Sequence, residues 1–260
     1  MKKHICLFLV ILVFTVSFTM GQKDSLRVLF IGNSYTFFND LPGLISSLAE
    51  KNGKHIYFDE FTEGGQDLLT ASNQKNVREA IKMNRYDYVI LQEQSTTPLF
   101  RKQESFFPAV RTFDSIVQPA DAEVILFLTW AREYAQQIKI RQLPGRFYYE
   151  VFPDYSAAQD SLNKAYWTIA NELDLALAPV GAIWKEFLQT NQQVNLWRKD
   201  HSHPAICGSL IGAFVFYSVL FQELPGKSEI INQCPKIEME VLNQLIREYV
   251  LDRKEYWNIH

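Results

Sequence analysis

Short apolar runs alternate with longer segments of helical periodicity along most of the chain. The short runs are rich in β-branched and aromatic residues and predict five strands. These strands are expected at residues 28–31, 55–61, 86–91, 123–129 and 175–180. Helices are expected at residues 41–51, 76–83, 104–117, 156–173, 183–189 and 205–221. The alternation predicts an α/β fold, a three-layer α/β/α sandwich around a central, mainly parallel five-stranded sheet.

The first residues have the pattern of a secretory signal peptide. Lys2 and Lys3 precede an apolar run at residues 5–16, and small residues follow up to Gly21. The run is shorter than the ~20 residues of a spanning helix, which favours a cleaved signal over a membrane anchor. We therefore expect residues 1–21 to be removed near Gly21. The product would be exported to the periplasm or the medium, without stable membrane insertion.

The remaining chain, residues 22–260, is expected to form one domain that ends in an amphipathic helix at residues 235–256. The whole sequence has 26 Lys and Arg against 29 Asp and Glu, and loss of the two signal-peptide lysines makes the balance 24 − 29 = −5. Nucleic-acid binding is not expected, because it requires clustered cations that neutralise phosphates.

Two cysteines, Cys207 and Cys234, lie beyond the signal peptide. They can pair in an oxidising compartment, but Cys207 falls in an apolar helical stretch where a free cysteine behaves as a small hydrophobic residue. Spacing alone leaves the pairing open. Neither a metal site nor a cofactor is expected, since the sequence has no CxxC pair and its histidines cluster only near His201.

The most informative segment is the turn after the first strand. The run at residues 28–31 ends at Gly32, and Asn33 and Ser34 follow before a helix begins near Pro42. Such a turn places the Ser34 hydroxyl at the carboxyl end of a buried strand, where open α/β sheets bind ligands. Ser34 is therefore a candidate nucleophile. The alternative is an ordinary turn, because Gly, Asn and Ser are common turn residues.

Polar residues also follow the next strands. Gly64 and Gly65 come after the second strand, and Gln92 and Gln94 after the third. Glycines allow close approach of the backbone to a ligand, and amides donate hydrogen bonds, although loop solvation explains both equally well.

The segment after the fourth strand, residues 130–155, is rich in aromatic residues and has no clear periodicity. It is expected to form either a binding wall or a loop packed on the body of the protein. Trp130, Asn33 and Gln92 are the residues expected to contact substrate.

A candidate base lies just before the last long helix. His203 precedes Pro204, and Asp200 stands three residues earlier. In a turn that enters a helix, this offset allows the carboxylate to reach the imidazole and to stabilise the imidazolium. His201 is expected to point away. Taken separately, Asp200 can be a capping residue and His203 an ordinary loop residue.

Four blocks of the sequence resemble the SGNH (GDSL-like) hydrolase superfamily, and in particular its exported bacterial members. They are GNSYT at residues 32–36, the paired glycines, QEQS at residues 92–95 and DxxHP at residues 200–204. The blocks occur in the family's order over nearly the whole chain after the signal peptide. The resemblance implies a flavodoxin-like α/β/α fold.

The resemblance also implies roles for the candidate residues. Ser34 would be the nucleophile, His203 the base and Asp200 the residue that orients the base. The oxyanion hole would consist of the backbone N–H groups of Ser34 and Gly65 and the side-chain amide of Gln94.

The sequence departs from the family pattern at three positions, one of which is Gln92, where the family usually has Gly. The third block has Gln94 where the family usually has Asn, which leaves Gln92 as a competing amide donor. Asn33 replaces the Asp of the GDS motif.

The expected activity is hydrolysis of a short-chain acyl ester, most favourably an acetyl ester on a carbohydrate, through a Ser-His-Asp triad and an acyl-enzyme. The expected partner is a small-molecule or polysaccharide ester. A lipid or thioester hydrolase is the alternative enzyme. A non-catalytic carbohydrate-binding protein and a flavodoxin-like phosphate site with Ser34 and Thr36 as ligands are alternatives of other classes. The sequence leaves the oligomeric state open.

Overall fold

The structure of the protein is a computed structural model. It describes residues 23–83, 85–135, 140–143, 146–148, 152–226 and 228–260. The predicted signal peptide lies outside these ranges.

Five parallel strands form a sheet at the centre of the molecule, and two further strands form a separate hairpin. In chain order the strands are β1 (Ser25–Gly32), β2 (His55–Thr62), β3 (Tyr88–Leu91), β4 (Glu123–Phe127), β5 (Ile140–Leu143), β6 (Arg146–Tyr148) and β7 (Ala176–Ala178). The central sheet has the order β2-β1-β3-β4-β7. The predicted parallel sheet is thus confirmed. Only its last strand is much shorter than predicted, because the next helix already begins at Val180.

Helices cover the sheet, as the alternating pattern predicts. They are α1 (Ser34–Phe37), α2 (Leu41–Lys51), α3 (Leu68–Asn73), α4 (Lys75–Met83), α5 (Thr97–Phe100), α6 (Phe107–Val117), α7 (Tyr155–Leu173), α8 (Val180–Thr190), α9 (Ile206–Phe221) and α10 (Met239–Tyr249). A π-helical turn, Lys102–Phe106, precedes α6, and 3-10 segments lie at Phe38–Asp40, Gln118–Ala120, Glu229–Gln233 and Leu251–Trp257. Among the described residues, no helix has the length and apolar character needed to cross a membrane.

The apolar helix α9 fills the core on one face of the sheet. Its residues from Gly208 to Phe221 are all buried. The Phe216 ring packs edge-on against Phe30 of β1, at 6.1 Å, and against Phe127 of β4, at 4.8 Å. This packing fixes the start of α9, and the loop that precedes it, beside the carboxyl ends of the strands.

A disulfide bond joins Cys207, in the first turn of α9, to Cys234, with the Cα atoms 5.2 Å apart. The bond closes a loop over a separation of 27 residues. Cys207 and Cys234 therefore form the disulfide that their spacing alone leaves open. The bond anchors the chain four residues after His203.

Two sequence-based expectations are wrong. The segment at residues 130–155 is not wholly irregular, because β5 and β6 pair as an antiparallel hairpin within it. The C-terminal helix is also shorter than predicted, because α10 ends at Tyr249 and the following 3-10 segment is interrupted at Arg253, whose φ of −127° is not helical.

Candidate active site

The turn after β1 presents Ser34 as the first residue of α1. Asn33 caps this helix, since its Oδ1 accepts a hydrogen bond from the Tyr35 N–H at 3.1 Å. Its Nδ2 donates to the Gln66 carbonyl at 2.9 Å, which joins the turn to the loop after β2. Both ends of the side chain shape the turn in this way. Asn33 also lines the cleft in front of Ser34, and its contact with substrate stays a prediction.

The candidate base and its carboxylate lie within hydrogen-bond distance of Ser34. His203 Nε2 is 2.8 Å from Ser34 Oγ, and His203 Nδ1 is 2.8 Å from Asp200 Oδ2. Since the carboxylate can only accept, Nδ1 carries the proton and Nε2 is the acceptor for the seryl hydroxyl. The structure therefore brings together the alcohol, the imidazole and the carboxylate in the order that acyl transfer requires.

Asp200 is held as an anion by the loop it belongs to. Burial raises its pKa, but hydrogen bonds from the His203 ring and from the backbone N–H groups of His203 and Ser202 outweigh that effect and lower the pKa to about 2. The two backbone bonds are 2.9 and 3.0 Å long and both go to Oδ1. This leaves Oδ2 to orient the imidazole.

Aromatic rings fix the orientation of the His203 side chain. Phe38 stacks on the imidazole, with the ring centroids 4.4 Å apart and the planes tilted by 24°. Tyr35 approaches it edge-on at 5.8 Å. Neither contact was predicted from the sequence, although both residues lie in or beside the GNSYT block.

The sequence predicts that Trp130 contacts substrate, but this side chain does not line the cleft. The side chain is only 1% exposed and lies between Tyr35 and Trp184, with ring centroids at 4.7 and 4.1 Å. Its Nε1 donates to the Ser202 carbonyl at 3.0 Å. Trp130 therefore supports Tyr35 and the histidine loop from behind, because the chain after β4 turns into the core at this point.

Three potential oxyanion donors border the same cleft. The backbone N–H groups of Ser34 and Gly65 have no hydrogen-bond partner within the described part of the chain, and Gly65 has a φ of +74°. Gln94 contributes a side-chain amide. Its Oε1 accepts from the N–H groups of Thr96, at 2.8 Å, and Thr97, at 3.2 Å. This anchorage leaves Nε2 with one weak contact, 3.5 Å from Ser95 Oγ.

Gln92, the competing amide, is not available as a donor or as a substrate contact. It is buried, and its Oε1 accepts from the Asn33 N–H at 2.8 Å and from Thr36 Oγ1 at 2.9 Å. Its Nε2 donates to the Glu93 carbonyl. A Cβ at Gly32 would come 2.6 Å from Gln92 Oε1, so the glycine makes room for this amide. Gln92 therefore supports the turn.

Glu93 is a buried carboxyl that no sequence pattern marks. Its Oε1 accepts from the Gln94 N–H at 2.6 Å and from the N–H of Leu68 at 3.1 Å, so it ties the loop after β3 to the start of α3. Oε2 has no partner among the described residues. Burial outweighs the two backbone bonds and raises the pKa of Glu93 to about 8, so the group is mostly protonated at pH 7.

The cleft in front of Ser34 has a volume of about 340 Å³. It is lined by Asn33, Ser34, Tyr35, Gly64, Gly65, Gln94, Ser95, Arg132, Ser202 and His203. Arg132 was not predicted, because its position inside an aromatic segment gives no sequence signal. Within the described residues, no cluster of His, Cys, Asp or Glu has the arrangement of a metal site.

Comparison with solved structures identifies the fold. A candidate SGNH hydrolase from Slackia heliotrinireducens aligns with a TM-score of 0.60 and 21% identity, over 75% of this chain and 98% of that one. A DUF4886 family protein from Bacteroides uniformis aligns with a TM-score of 0.66 and 16% identity, over 86% and 95%. An acetyl xylan esterase from Geobacillus stearothermophilus gives a TM-score of 0.54 and 17% identity, over 78% and 97%.

No protein-family model matches the chain, and a search of curated proteins finds no match. The similarity to solved structures is therefore a similarity of fold, and it confirms the SGNH-hydrolase fold expected from the four sequence blocks.

Proposed function

We propose that this chain, which has the SGNH-hydrolase fold, is a serine esterase that removes a short acyl group, most favourably acetyl, from a carbohydrate. The observation that carries the proposal is the continuous hydrogen-bonded series from Ser34 Oγ to His203 and from His203 to Asp200, with 2.8 Å at each step. A phosphate site at the same turn would not require the imidazole and the carboxylate.

The proposed reaction has two halves. Ser34 Oγ attacks the ester carbonyl while His203 Nε2 takes its proton, and the negative charge on the carbonyl oxygen is stabilised by the N–H groups of Ser34 and Gly65 and by the Gln94 amide. The imidazolium then protonates the leaving alcohol as the C–O bond breaks. Water, deprotonated by His203, attacks the acyl-enzyme in the same way and releases the acid and free Ser34.

The size of the cleft favours a small acyl group. Its volume of about 340 Å³ is at the lower end of the ~300–1,000 Å³ typical of small-molecule sites. The structural similarity to an acetyl xylan esterase supports an acetyl ester on a saccharide as the first substrate to test.

An exported location is part of the proposal. It rests on the signal-like sequence of residues 1–21. The Cys207–Cys234 disulfide supports it, because disulfides persist in oxidising compartments and are rare in the cytosol.

The proposal is tested with 4-nitrophenyl acetate. The wild-type protein should hydrolyse the ester and be labelled by a serine-directed phosphonate, and Ser34→Ala should lose both properties. Ser115→Ala is the matched control, because Ser115 is exposed on α6 and its Oγ bonds only to the Thr112 carbonyl.

Saturable sugar binding without hydrolysis or labelling would instead identify a binding protein. A series of acyl lengths tests the substrate class. Faster turnover of octanoyl than of acetyl esters would replace the proposed deacetylase with a lipid or thioester hydrolase.

A further inference from the structure

A positively charged side chain, Arg132, lies in the wall of the cleft and is held there by its neighbours. The N–H of Ala131 donates to Gln159 Oε1 at 2.7 Å, and the Ala131 carbonyl accepts from Trp197 Nε1 at 3.1 Å. On the other side, the N–H of Glu133 donates to the His201 carbonyl at 3.0 Å. The backbone is therefore fixed on both sides of Arg132, and the side chain is presented from a rigid support.

The guanidinium of Arg132 has almost no partner. Nη2 lies 3.4 Å from Ser95 Oγ, and the buried Nε has no hydrogen-bond partner among the described residues. Arg111, by comparison, is fully paired on one edge of its guanidinium. Its Nε and Nη2 donate to the Glu172 carboxylate at 2.6 and 2.8 Å. A guanidinium has five N–H donors arranged for a planar acceptor with two oxygens, and the described part of the chain supplies no such acceptor to Arg132.

The acidic side chains next to Arg132 in sequence, in the His203 loop and directly after β3 are engaged with other groups. The Glu133 carboxylate bonds to His201 Nδ1 at 2.6 Å, and Asp200 bonds to His203. The buried Glu93 carboxyl bonds to the backbone of Leu68 and Gln94. No acidic side chain lines the cleft within the described residues. The positive charge of Arg132 beside Ser34 is thus left for a ligand.

We propose that Arg132 is a specificity-determining residue that binds a carboxylate on the sugar half of the substrate, so that the preferred ester is an acetylated acidic saccharide such as a uronic acid. This inference rests on the proposed esterase function. An acetyl group consists of a methyl and a carbonyl and carries no ionisable group. The carboxylate therefore has to belong to the alcohol part of the ester. Arginine suits this task better than lysine, because its planar fork binds both carboxylate oxygens.

The experiment compares two probes that differ only in this charge. They are mono-O-acetylated methyl glucuronoside and the corresponding carboxamide, each used as a mixture of positional isomers, and acetate release is measured. The wild-type protein should give a kcat/KM at least about 10-fold higher for the carboxylate, with the difference mainly in KM, because the charge is bound in the ground state and in the transition state alike. Added salt should reduce this preference.

Three variants localise the effect. Arg132→Gln should bring the ratio of the two kcat/KM values close to one, and Arg132→Lys should retain part of it. Arg198→Gln is the matched control, because Arg198 is exposed, lies over the Phe38 ring at 4.9 Å and does not line the cleft. It should keep the wild-type ratio.

Equal hydrolysis of both probes by the wild-type protein would overturn the role of Arg132 and leave the esterase proposal intact. Loss of the preference in Arg198→Gln to the same extent would show a general field effect and would also overturn it. If the wild-type protein hydrolyses neither probe, nor 4-nitrophenyl acetate, the proposed function fails, and this inference fails with it.

Discussion

The buried carboxyl of Glu93 should make the stability of the fold depend on pH. Its pKa is 4.5 in an unfolded chain and about 8 in the folded protein, because burial disfavours the charged form more than the two backbone hydrogen bonds favour it. Between these values the folded state holds a proton that the unfolded state has released. The contribution of Glu93 to the free energy of unfolding therefore falls as the pH rises from 4.5 to 8.

The size of the effect follows from that interval. Each pH unit between the two pKa values corresponds to about 1.4 kcal/mol, so the full interval is worth about 5 kcal/mol as an upper bound. Glu93→Gln removes the titration and keeps an Oε1 that can accept from Leu68 and Gln94. Its free energy of unfolding should therefore exceed the wild-type value by an amount that grows by several kcal/mol between pH 5 and pH 8.

Urea unfolding followed by tryptophan fluorescence is a suitable assay, since Trp130 and Trp184 are buried. The comparison at pH 4 to 5 serves as the internal reference, because Glu93 is then neutral in the folded state and any constant effect of the amide appears there. The predicted pH dependence is refuted if the difference in free energy of unfolding between Glu93→Gln and wild type changes by less than about 1 kcal/mol up to pH 8.5. A difference that becomes smaller as the pH rises would refute it as well.

Three further outcomes are expected. Gln94→Ala should lower kcat by ~10²- to 10³-fold on 4-nitrophenyl acetate, because it removes one oxyanion donor, and it should also lower thermal stability, because the N–H groups of Thr96 and Thr97 lose their acceptor; an unchanged kcat would exclude Gln94 from that role. Asp200→Asn should lower kcat by about 10⁴-fold, because the amide cannot hold His203 in the required tautomer, and a decrease below tenfold would contradict the assignment. Replacing Cys207 and Cys234 by serine should lower the free energy of unfolding by about 3 to 4 kcal/mol for a loop of this length, and urea curves identical to those of the wild type would contradict it.

The sequence was sufficient for the sheet and for the proximity of Ser34, His203 and Asp200, because both follow from patterns at the ends of strands and helices. Short apolar runs ending in Gly, Asn and Gln residues marked the carboxyl ends of the strands, and parallel strands bring those ends to one edge. The helix α2 was predicted with the bounds observed, Leu41–Lys51, since Asp40 caps it and Pro42 lies in its first turn.

The sequence failed where a side chain's environment depends on distant partners. Trp130 and Gln92 were expected to face substrate, but the first is covered by Tyr35 and Trp184 and the second is used to brace the turn at Gly32. The burial of Glu93 gives no sequence signal for the same reason, since it follows from the packing of several elements. Pattern and spacing place such residues near the site without showing which way they point.

The separation of Ser34 from His203 along the chain, 169 residues, has a consequence for biosynthesis. The ribosome adds Ser34 early, directly after β1, and adds His203 only when the last third of the polypeptide is being made. A nascent chain, or a fragment that ends before His203, therefore contains Ser34 without the imidazole that lies 2.8 Å from its Oγ in the folded protein. The Ser34–His203 pair on which the proposed function depends is thus complete only late in synthesis, and an incomplete copy that lacks His203 has no imidazole to accept the seryl proton.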